Sequence, residues 1–231
     1  MNINKKIRFN GHDYLLVGYS VQGNEKDQNQ DSLFYVMDSQ SIVVCIADGL
    51  GSATFSKEGA EFASKIMAEL LLNNDDLNDI HMAFLEKWKT KVGDRYELYD
   101  STIRFVKIKT NQISYGGIGD GWTGIKCNNS YVHWTYDHTF INQTDSIMTL
   151  GYIEKFINRT IVTDDFQRCI LATDGFSEDI EESMRDNLIE KMGDLALKNS
   201  LDFMNQLEIQ MKNWPIESNQ DDKTVVLIVR I

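Results

Sequence analysis

The sequence is poor in proline and cysteine, and it contains no long apolar run. Its 231 residues include one proline, Pro215, and no proline- or serine-rich linker, which predicts a single domain over residues 1–231. The three cysteines, Cys45, Cys127 and Cys169, are odd in number and lack CxxC spacing, so neither a disulfide framework nor a zinc site is expected. No apolar run is long enough to cross a bilayer, and the first residues lack the apolar stretch of a signal peptide. We therefore expect a cytoplasmic protein without a membrane partner.

Positive charge is also scarce. Lysine and arginine number 23 against 35 aspartates and glutamates, and the formal net charge is −12 at pH 7. A protein that binds nucleic acid needs a basic surface to neutralise phosphates, so the composition argues against a nucleic-acid partner. An acidic chain can still act on an anionic substrate if bound cations are the largest local charges.

The apolar pattern predicts an α+β protein. Helical spacing predicts helices around 63–70 and 84–88, and a long helix along 197–211 that Asp194 caps and Pro215 follows. Two-residue turns near 110–111 and 128–129 favour antiparallel sheets, whose faces the helices would cover. Short runs rich in β-branched and aromatic residues predict strands at 14–20, 32–37, 42–47, 101–109, 112–117, 122–126, 131–135, 156–162, 168–173 and 224–230.

Five aspartates adjoin the ends of predicted strands. They are Asp31, Asp48, Asp120, Asp174 and Asp221, and the second, third and fourth of them are each followed by glycine. A single Asp-Gly after a strand is usually turn chemistry, but the strands of one sheet end together, so five such carboxylates can meet at one rim. Clustered carboxylates repel one another unless cations neutralise them, and oxygen ligands without histidine or cysteine suit Mg²⁺ or Mn²⁺.

Two such ions can activate a water for attack on a phosphoester without a nucleophile from the protein. The sequence contains no GxSxG elbow and no CxxxxxR loop, which agrees with this mechanism. A phosphatase of the haloacid dehalogenase type would need a DxDx[TV] motif, and the pair Asp164-Asp165 lacks that spacing. The residues therefore indicate metal-assisted phosphoester hydrolysis, and they do not identify the substrate.

In their order and contexts, these segments resemble the motifs of the PPM/PP2C metal-dependent serine/threonine protein phosphatases, in their short bacterial form. The matching segments are NQD, ADGLG, IGDGW, ATDGF and DDKTVV, which together span nearly the whole chain. The resemblance implies two packed antiparallel sheets flanked by helices, a four-layer αββα sandwich. It also implies hydrolysis of phosphoserine and phosphothreonine in a phosphorylated protein substrate, opposed by a serine/threonine kinase. We expect the protein to be a monomer.

The resemblance also implies a role for each aspartate. Asp48 would bridge two Mn²⁺ or Mg²⁺ ions, and Asp31 would hold the second of them. Asp174 and Asp221 would complete the first ion's ligands, and Asp120 with Asp174 would form a third, weaker site. The predicted catalytic residues are Asp31, Asp48, Asp174 and Asp221. The predicted metal ligands, which include one glycine carbonyl, are Asp31, Asp48, Gly49, Asp120, Asp174 and Asp221.

The sequence departs from the family pattern near the predicted site. Lys26 stands where many members have an arginine, and it would meet the substrate phosphate with a charge but without a bidentate fork. Gly121-Trp122 replaces a Ser-Arg pair, and the mobile flap of the family is reduced to a short segment near 139–151. His138, which directly precedes that segment, is better explained as a structural histidine than as a proton donor. These departures support a second hypothesis, a phosphatase-like module that binds phosphoproteins with little turnover.

Overall fold

The computed structural model describes residues 2–136, 144–152 and 156–231. Its α-helices are α1 (Ser56–Asn73), α2 (Ile80–Val92), α3 (Asp174–Ser177), α4 (Arg185–Lys198) and α5 (Ser200–Lys212). Its strands are β1 (Asn2–Phe9), β2 (His12–Val21), β3 (Asp31–Met37), β4 (Ile42–Asp48), β5 (Ile103–Lys109), β6 (Gln112–Ile118), β7 (Trp122–Cys127), β8 (Ser130–Thr135), β9 (Ile157–Val162), β10 (Phe166–Ala172) and β11 (Lys223–Arg230). No helix in these ranges has both the length and the apolar composition needed to span a membrane.

The strands form two antiparallel sheets, and each sheet belongs to one compact unit of the chain. The six-stranded sheet has the order β1-β2-β11-β10-β7-β8, and the five-stranded sheet has the order β3-β4-β5-β6-β9. Unit 1 comprises Met1–Asn29, Gly121–Thr135 and Thr163–Ile231, and unit 2 comprises Gln30–Asp120 and Tyr136–Val162. Helices cover a face of the sheet in each unit, so the predicted α+β class with two antiparallel sheets flanked by helices is confirmed. The single domain over residues 1–231 stays a prediction.

The core of unit 2 forms where α1 and α2 pack on β4 and β5. Ala63, Met67 and Leu71 recur at intervals of three to four residues along α1 and are fully buried. Phe84 and Trp88 of α2 are buried in the same cluster. Each large side chain buried in this way stabilises the fold by about 1.5–3 kcal/mol, so this face holds the two helices on the sheet.

In unit 1 two helices replace the single long helix predicted along residues 197–211. The chain leaves α4 at Asn199, whose side chain accepts hydrogen bonds from the backbone N–H groups of Leu201 and Asp202 at 3.2 and 3.3 Å and so caps α5. The predicted N-cap, Asp194, lies inside α4, where its carboxylate binds Arg168 at 2.6 Å. The predicted start and cap of this helix were wrong because Leu197 and Leu201, which are 40% and 67% exposed, extend the helical pattern without belonging to the core.

The ten predicted strands are present, and among the strands that the structure describes only β1 was not predicted. This strand lies at the edge of its sheet, and its lysines, Lys5 and Lys6, are exposed, so its apolar pattern is weak. The turn that joins β1 to β2 is Asn10-Gly11, with φ of 48° and 77°. Asn-Gly is the strongest short hairpin signal in a sequence, and it was the clue to this strand.

Strand β5 carries two buried cations, Arg104 and Lys107, which are 1% and 2% exposed. The Lys107 ammonium donates to the carbonyl oxygens of Leu71 and Asn74, at 2.6 and 2.8 Å, at the C-terminal end of α1. A cation in this position satisfies carbonyls that have no partner within the helix. Burial lowers the pKa of Lys107 below its ordinary value of 10.5. Lys107 therefore joins the sheet to the end of α1.

Replacing Lys107 by methionine keeps the aliphatic stem and removes the donor. We expect the free energy of unfolding at neutral pH to fall by about 1–3 kcal/mol, because the α1 carbonyls lose a charged partner. Urea denaturation measures the change. The control is Lys87→Met, an exposed position on α2, which should change stability by less than about 0.5 kcal/mol. An equal loss of stability in the two variants would contradict the conclusion that Lys107 joins the sheet to the end of α1.

The stability difference between the wild type and Lys107→Met should also depend on pH. Because the pKa of Lys107 is lowered by folding, the folded protein releases this proton at a lower pH than the unfolded chain does. Between those two values the unfolded state binds more protons, so stability rises with pH. The free-energy difference between the wild type and Lys107→Met should therefore grow from neutral towards alkaline pH.

Candidate metal centre

Asp31 and Asp48 face each other across the pairing of β3 and β4. Asp31 begins β3, Asp48 ends β4, and the antiparallel register makes them direct partners. Side chains of directly opposite residues point to the same face of the sheet, with Cβ atoms about 4.5–5.5 Å apart. Asp31 is 8% exposed and Asp48 is half-buried, so neither charge is fully screened by water. Two like charges in these positions destabilise the sheet unless a cation offsets them.

The chain after Asp48 is held tightly on both sides. Thr102 donates its backbone N–H to the Asp48 carbonyl at 2.8 Å and accepts the Asp48 N–H on its hydroxyl at 3.1 Å. The next residue, Gly49, donates to the Gln30 carbonyl at 3.2 Å and bridges to Ser101. A Cβ at Gly49 would lie 2.5 Å from a backbone oxygen, so only glycine allows this close approach.

Asp120 lies in the short connection between β6 and β7, and its carboxylate accepts a hydrogen bond from a residue elsewhere in the chain. The Thr144 hydroxyl donates to Asp120 Oδ2 at 2.5 Å. Asp120 is 9% exposed and belongs to unit 2, as Asp31, Asp48 and Gly49 do. Unit 2 thus supplies four of the six predicted ligands.

Asp174 and Asp221 lie at the same edge of the sheet in unit 1. Asp174 follows β10 and Asp221 precedes β11, and these two strands pair antiparallel. The backbone between them is close. A Cβ at Gly175 would lie 2.1 Å from the Asp222 carbonyl oxygen and 3.2 Å from the Asp221 Cβ. The Gly175 N–H donates to Asp174 Oδ1 at 2.7 Å, so glycine brings the two acidic segments together.

The two adjacent aspartates before β11 have different surroundings. Asp221 Oδ1 accepts the Asp222 N–H at 2.9 Å and pairs with the Lys26 ammonium at 2.7 Å. Asp222 is 1% exposed, and its Oδ1 accepts the Gly23 N–H at 2.8 Å. Asp222 therefore fixes the segment before β11 to the turn after β2, while Asp221 faces a cation.

Lys26, the predicted phosphate ligand, belongs to unit 1 and lies beside Asp221 at a polar cleft of about 430 Å³. Its side chain is 30% exposed, so the ammonium is accessible to solvent. The sequence did not anticipate this ion pair between Lys26 and a predicted metal ligand, and the phosphate-binding role of Lys26 stays a prediction. The cleft is lined by Glu25, Lys26, Glu178, Asp179, Ser218, Asn219, Gln220 and Asp221.

The predicted ligands are therefore divided between the units, with Asp174 and Asp221 in unit 1 and the rest in unit 2. Within either unit, among residues 2–136, 144–152 and 156–231, no group of three or more histidine, cysteine, aspartate or glutamate side chains could hold a metal ion. His138 and residues 139–143 of the predicted short flap lie outside the described residues. The described end of that segment, from Ile147 to Tyr152, forms a 3₁₀ helix.

Three polar residues around the acids were missed by the sequence analysis: Asp100, Asp222 and Arg104. Asp100 is 8% exposed and accepts hydrogen bonds from the Ser146 hydroxyl at 2.6 Å and from the Met148 N–H at 3.2 Å. Burial raises the pKa of Asp100, and these hydrogen bonds oppose the shift. The signal for Arg104 was a charge at an inward position of the apolar strand IRFVKI, which requires a buried partner.

The acids of each unit have the donor chemistry that a hard divalent cation prefers, although neither unit by itself groups three of them among its described residues. Asp31 and Asp48 in unit 2, and Asp174 and Asp221 in unit 1, offer carboxylate oxygens that Mg²⁺ and Mn²⁺ prefer. In unit 1 a cation, the Lys26 ammonium, already pairs with Asp221. The close backbone approach at Gly175 brings these acids together without a bulky side chain between them.

Asp48→Asn tests the repulsion between the facing carboxylates. In buffer with EDTA we expect this variant to be more stable than the wild type by about 0.2–1 kcal/mol, because one of two like charges is removed. Adding Mn²⁺ should stabilise the wild type and leave the variant unchanged. Urea denaturation with and without metal measures both effects. Asp94→Asn, an exposed position, is the control and should behave as the wild type does; if it matched Asp48→Asn, the site-specific explanation would be wrong.

Comparison with known proteins agrees with this arrangement of sheets. Similar solved structures include RsbX in complex with magnesium, which is 19% identical with a TM-score of 0.64 over 99% of this chain and 100% of that one. The catalytic domain of the serine threonine protein phosphatase PstP, in complex with 2 manganese ions, is 15% identical with a TM-score of 0.63 over 94% and 98%. The S. agalactiae serine/threonine phosphatase is 18% identical with a TM-score of 0.67 over 94% and 99%.

At these identities the likeness shows the fold, and it agrees with the predicted sandwich class. A comparison with the curated proteins gave no significant match. The family described as Protein phosphatase 2C matches residues 18–211, which is more than half of the chain. The predicted family resemblance is confirmed, and the chain belongs to the protein phosphatase 2C family.

Proposed function

We propose that the protein removes phosphate from phosphoserine and phosphothreonine in proteins, with water as the nucleophile and two divalent cations at the aspartates. The observation that carries the proposal is the pairing of Asp31 directly opposite Asp48 at the end of two strands. A protein keeps two like charges in such positions at a cost in stability, and a role in binding cations explains that cost. Membership in the protein phosphatase 2C family supplies the reaction class.

Each proposed ligand would have its own role. Asp48 and the carbonyl of Gly49 would serve both ions, Asp31 would hold the second ion, and Asp174 with Asp221 would hold the first. When bound, Mg²⁺ or Mn²⁺ activates water and stabilises charge on a phosphoryl oxygen. The tight backbone bonds around Asp48 and Gly175 support this assignment, because they keep the ligands in place before the ions bind. Asp120, with Asp174, is proposed to bind a third, weaker ion.

Lys26 is proposed to bind the substrate phosphate. Its ammonium lies in a polar cleft beside Asp221, with a third of the side chain open to solvent. A lysine offers a point charge, so it attracts a phosphate without fixing its orientation as an arginine fork would. The orientation of the phosphate would then depend on the bound cations, which suits a site that accepts phosphopeptides of varied shape.

The family implies a phosphorylated protein as the substrate, and the rest of the setting is proposed with it. The solved relatives named above include two described as serine/threonine phosphatases. For this chain we propose a cytoplasmic monomer that acts in opposition to a serine/threonine kinase. A short flap near residues 139–151 would leave access to the site open.

The test is hydrolysis of a phosphothreonine peptide with and without Mn²⁺, by the wild type and by Asp174→Asn. We expect turnover that needs the metal and falls at least about 100-fold in the variant, because a metal ligand is lost. Phosphate release measures the rate. Asp164→Asn, an exposed aspartate of unit 1, is the matched control and should keep full activity. Turnover that survives both metal removal and Asp174→Asn would refute the proposal.

A phosphoprotein-binding module is the second candidate. The ion pair between Lys26 and Asp221 favours it, because the ammonium competes with a metal ion for the same carboxylate. In that case the wild type would bind a phosphothreonine peptide in fluorescence anisotropy and release no phosphate at any Mn²⁺ concentration. The two outcomes separate a phosphatase from a binding module in one set of samples.

Lys26→Gln separates the two roles of Lys26. Without the ammonium, Asp221 is free to bind metal, and we expect the Mn²⁺ concentration for half-maximal activity to fall about two- to fivefold, the range of a partly exposed ion pair. The KM for the phosphopeptide should rise, because the substrate loses a positive charge. Steady-state kinetics at varied metal and varied peptide measure both quantities. An unchanged KM would remove Lys26 from the substrate site.

A further inference from the structure

Arg104 is the charged side chain most deeply enclosed in unit 2, among the residues that the structure describes, and the proposed chemistry does not use it. It lies on β5 and is 1% exposed. Its Nε donates to the carbonyl oxygen of Asp120 at 2.9 Å, and its Nη2 donates to the carbonyl oxygen of Gly119 at 2.9 Å. The planar guanidinium thus grips two successive backbone carbonyls, one of which belongs to a predicted metal ligand.

The backbone that Arg104 grips, at Gly119 and Asp120, follows β6 and lies beyond its strand pairing. Gly119 has φ of +95°, in the region that favours glycine. A Cβ at Gly119 would lie 2.4 Å from a methyl carbon of Thr102 and 2.8 Å from the Asp145 carbonyl oxygen. The chain between β6 and Asp120 therefore depends on glycine at position 119, and glycine leaves the backbone flexible without an external support.

Asp120 has supports on two sides. Arg104 holds its backbone from β5, and the Thr144 hydroxyl donates to its Oδ2 at 2.5 Å. The neighbouring Asp145 accepts a hydrogen bond from the Tyr136 hydroxyl, so the segment around Thr144 is itself held within unit 2. A carboxylate fixed by its own backbone and by a side-chain donor is presented in one orientation, as a metal ligand must be.

We propose that Arg104 is a positioning residue that orients Asp120 towards a divalent cation. Burying a guanidinium costs stability, and an apolar side chain at this inward position of β5 would avoid that cost. The two parallel hydrogen bonds explain why an arginine is present, since a lysine has no fixed fork and cannot hold both carbonyls in the same way. This inference rests on the cation site proposed at Asp120, and cation binding there can be measured separately from hydrolysis.

The test compares Mn²⁺ binding by the wild type, Arg104→Met, Asp120→Asn and the double variant in titration calorimetry. We expect Arg104→Met to weaken the most weakly bound class of Mn²⁺ about 10- to 100-fold, as loss of a ligand's supporting partner does. Asp120→Asn should remove that class of sites. In the double variant, the arginine change should have no further effect, because its ligand is already gone.

Arg104→Lys and Lys107→Met complete the design. Arg104→Lys should recover part of the lost affinity, because an ammonium can reach one of the two carbonyls. Lys107→Met removes a second buried cation of β5 that also binds backbone carbonyls, so it should lower stability and leave Mn²⁺ binding unchanged. If Arg104→Met alone fails to fold, the comparison of Arg104→Lys with Lys107→Met still decides the question.

Three results would overturn the inference. They are wild-type Mn²⁺ affinity in both Arg104 variants, a loss of affinity in Lys107→Met that matches its loss of stability, and Mn²⁺ binding unaffected by Asp120→Asn. Phosphate release from the phosphothreonine peptide in the same samples separates this inference from the proposed function. If Mn²⁺ binding by the wild type depends on Arg104 and Asp120 but the protein releases no phosphate, the phosphatase proposal is refuted and this inference stands.

Discussion

Asp31 and Asp48 stand opposite each other at the end of a buried strand pair, and their like charges repel unless cations neutralise them. The surrounding structure opposes that repulsion through the backbone. Thr102 holds Asp48 by two hydrogen bonds, and β4 itself is buried along almost its whole length. A rigid sheet can therefore keep two acids in place that a flexible loop would let move apart. Under the proposed function, cation binding would offset the free-energy cost of holding the two acids together.

Both units support their acids in the same way, through buried polar side chains that bind the backbone. In unit 2, Arg104 holds the carbonyls beside Asp120, and Asp100 joins two loops. In unit 1, Asp222 binds the Gly23 N–H and so fixes the chain next to Asp221. These residues bind the backbone beside the predicted ligands and so restrict where that backbone can lie. A buried hydrogen-bonded group holds a geometry that apolar contacts alone leave free to slide.

Much of the fold could be read from local pattern. Ten strands were predicted because β-branched and aromatic runs are separated by clear turns, and the family motifs place the acids at strand ends. The edge strand β1 escaped because exposed Lys5 and Lys6 weaken its apolar alternation, although Asn10-Gly11 marked its turn. The helix predicted along 197–211 extended too far because Leu197 and Leu201 continue the helical spacing from the solvent side. The periodicity of apolar residues predicts which face of a helix could be buried. Whether that face is buried depends on the elements that pack against it in the folded protein.

The sequence by itself determined the family and the class of fold, because aspartates beside strands follow one another in a recognisable order, and from the same order it predicted which acids bind metal. Only the tertiary structure decided the strand register that sets Asp31 against Asp48, and the ion pair of Lys26 with Asp221. It also decided that Arg104, an inward charge in an apolar strand, meets the carbonyls of Gly119 and Asp120. These contacts join residues distant in the sequence, and a local pattern carries no information about which distant groups will satisfy a buried charge.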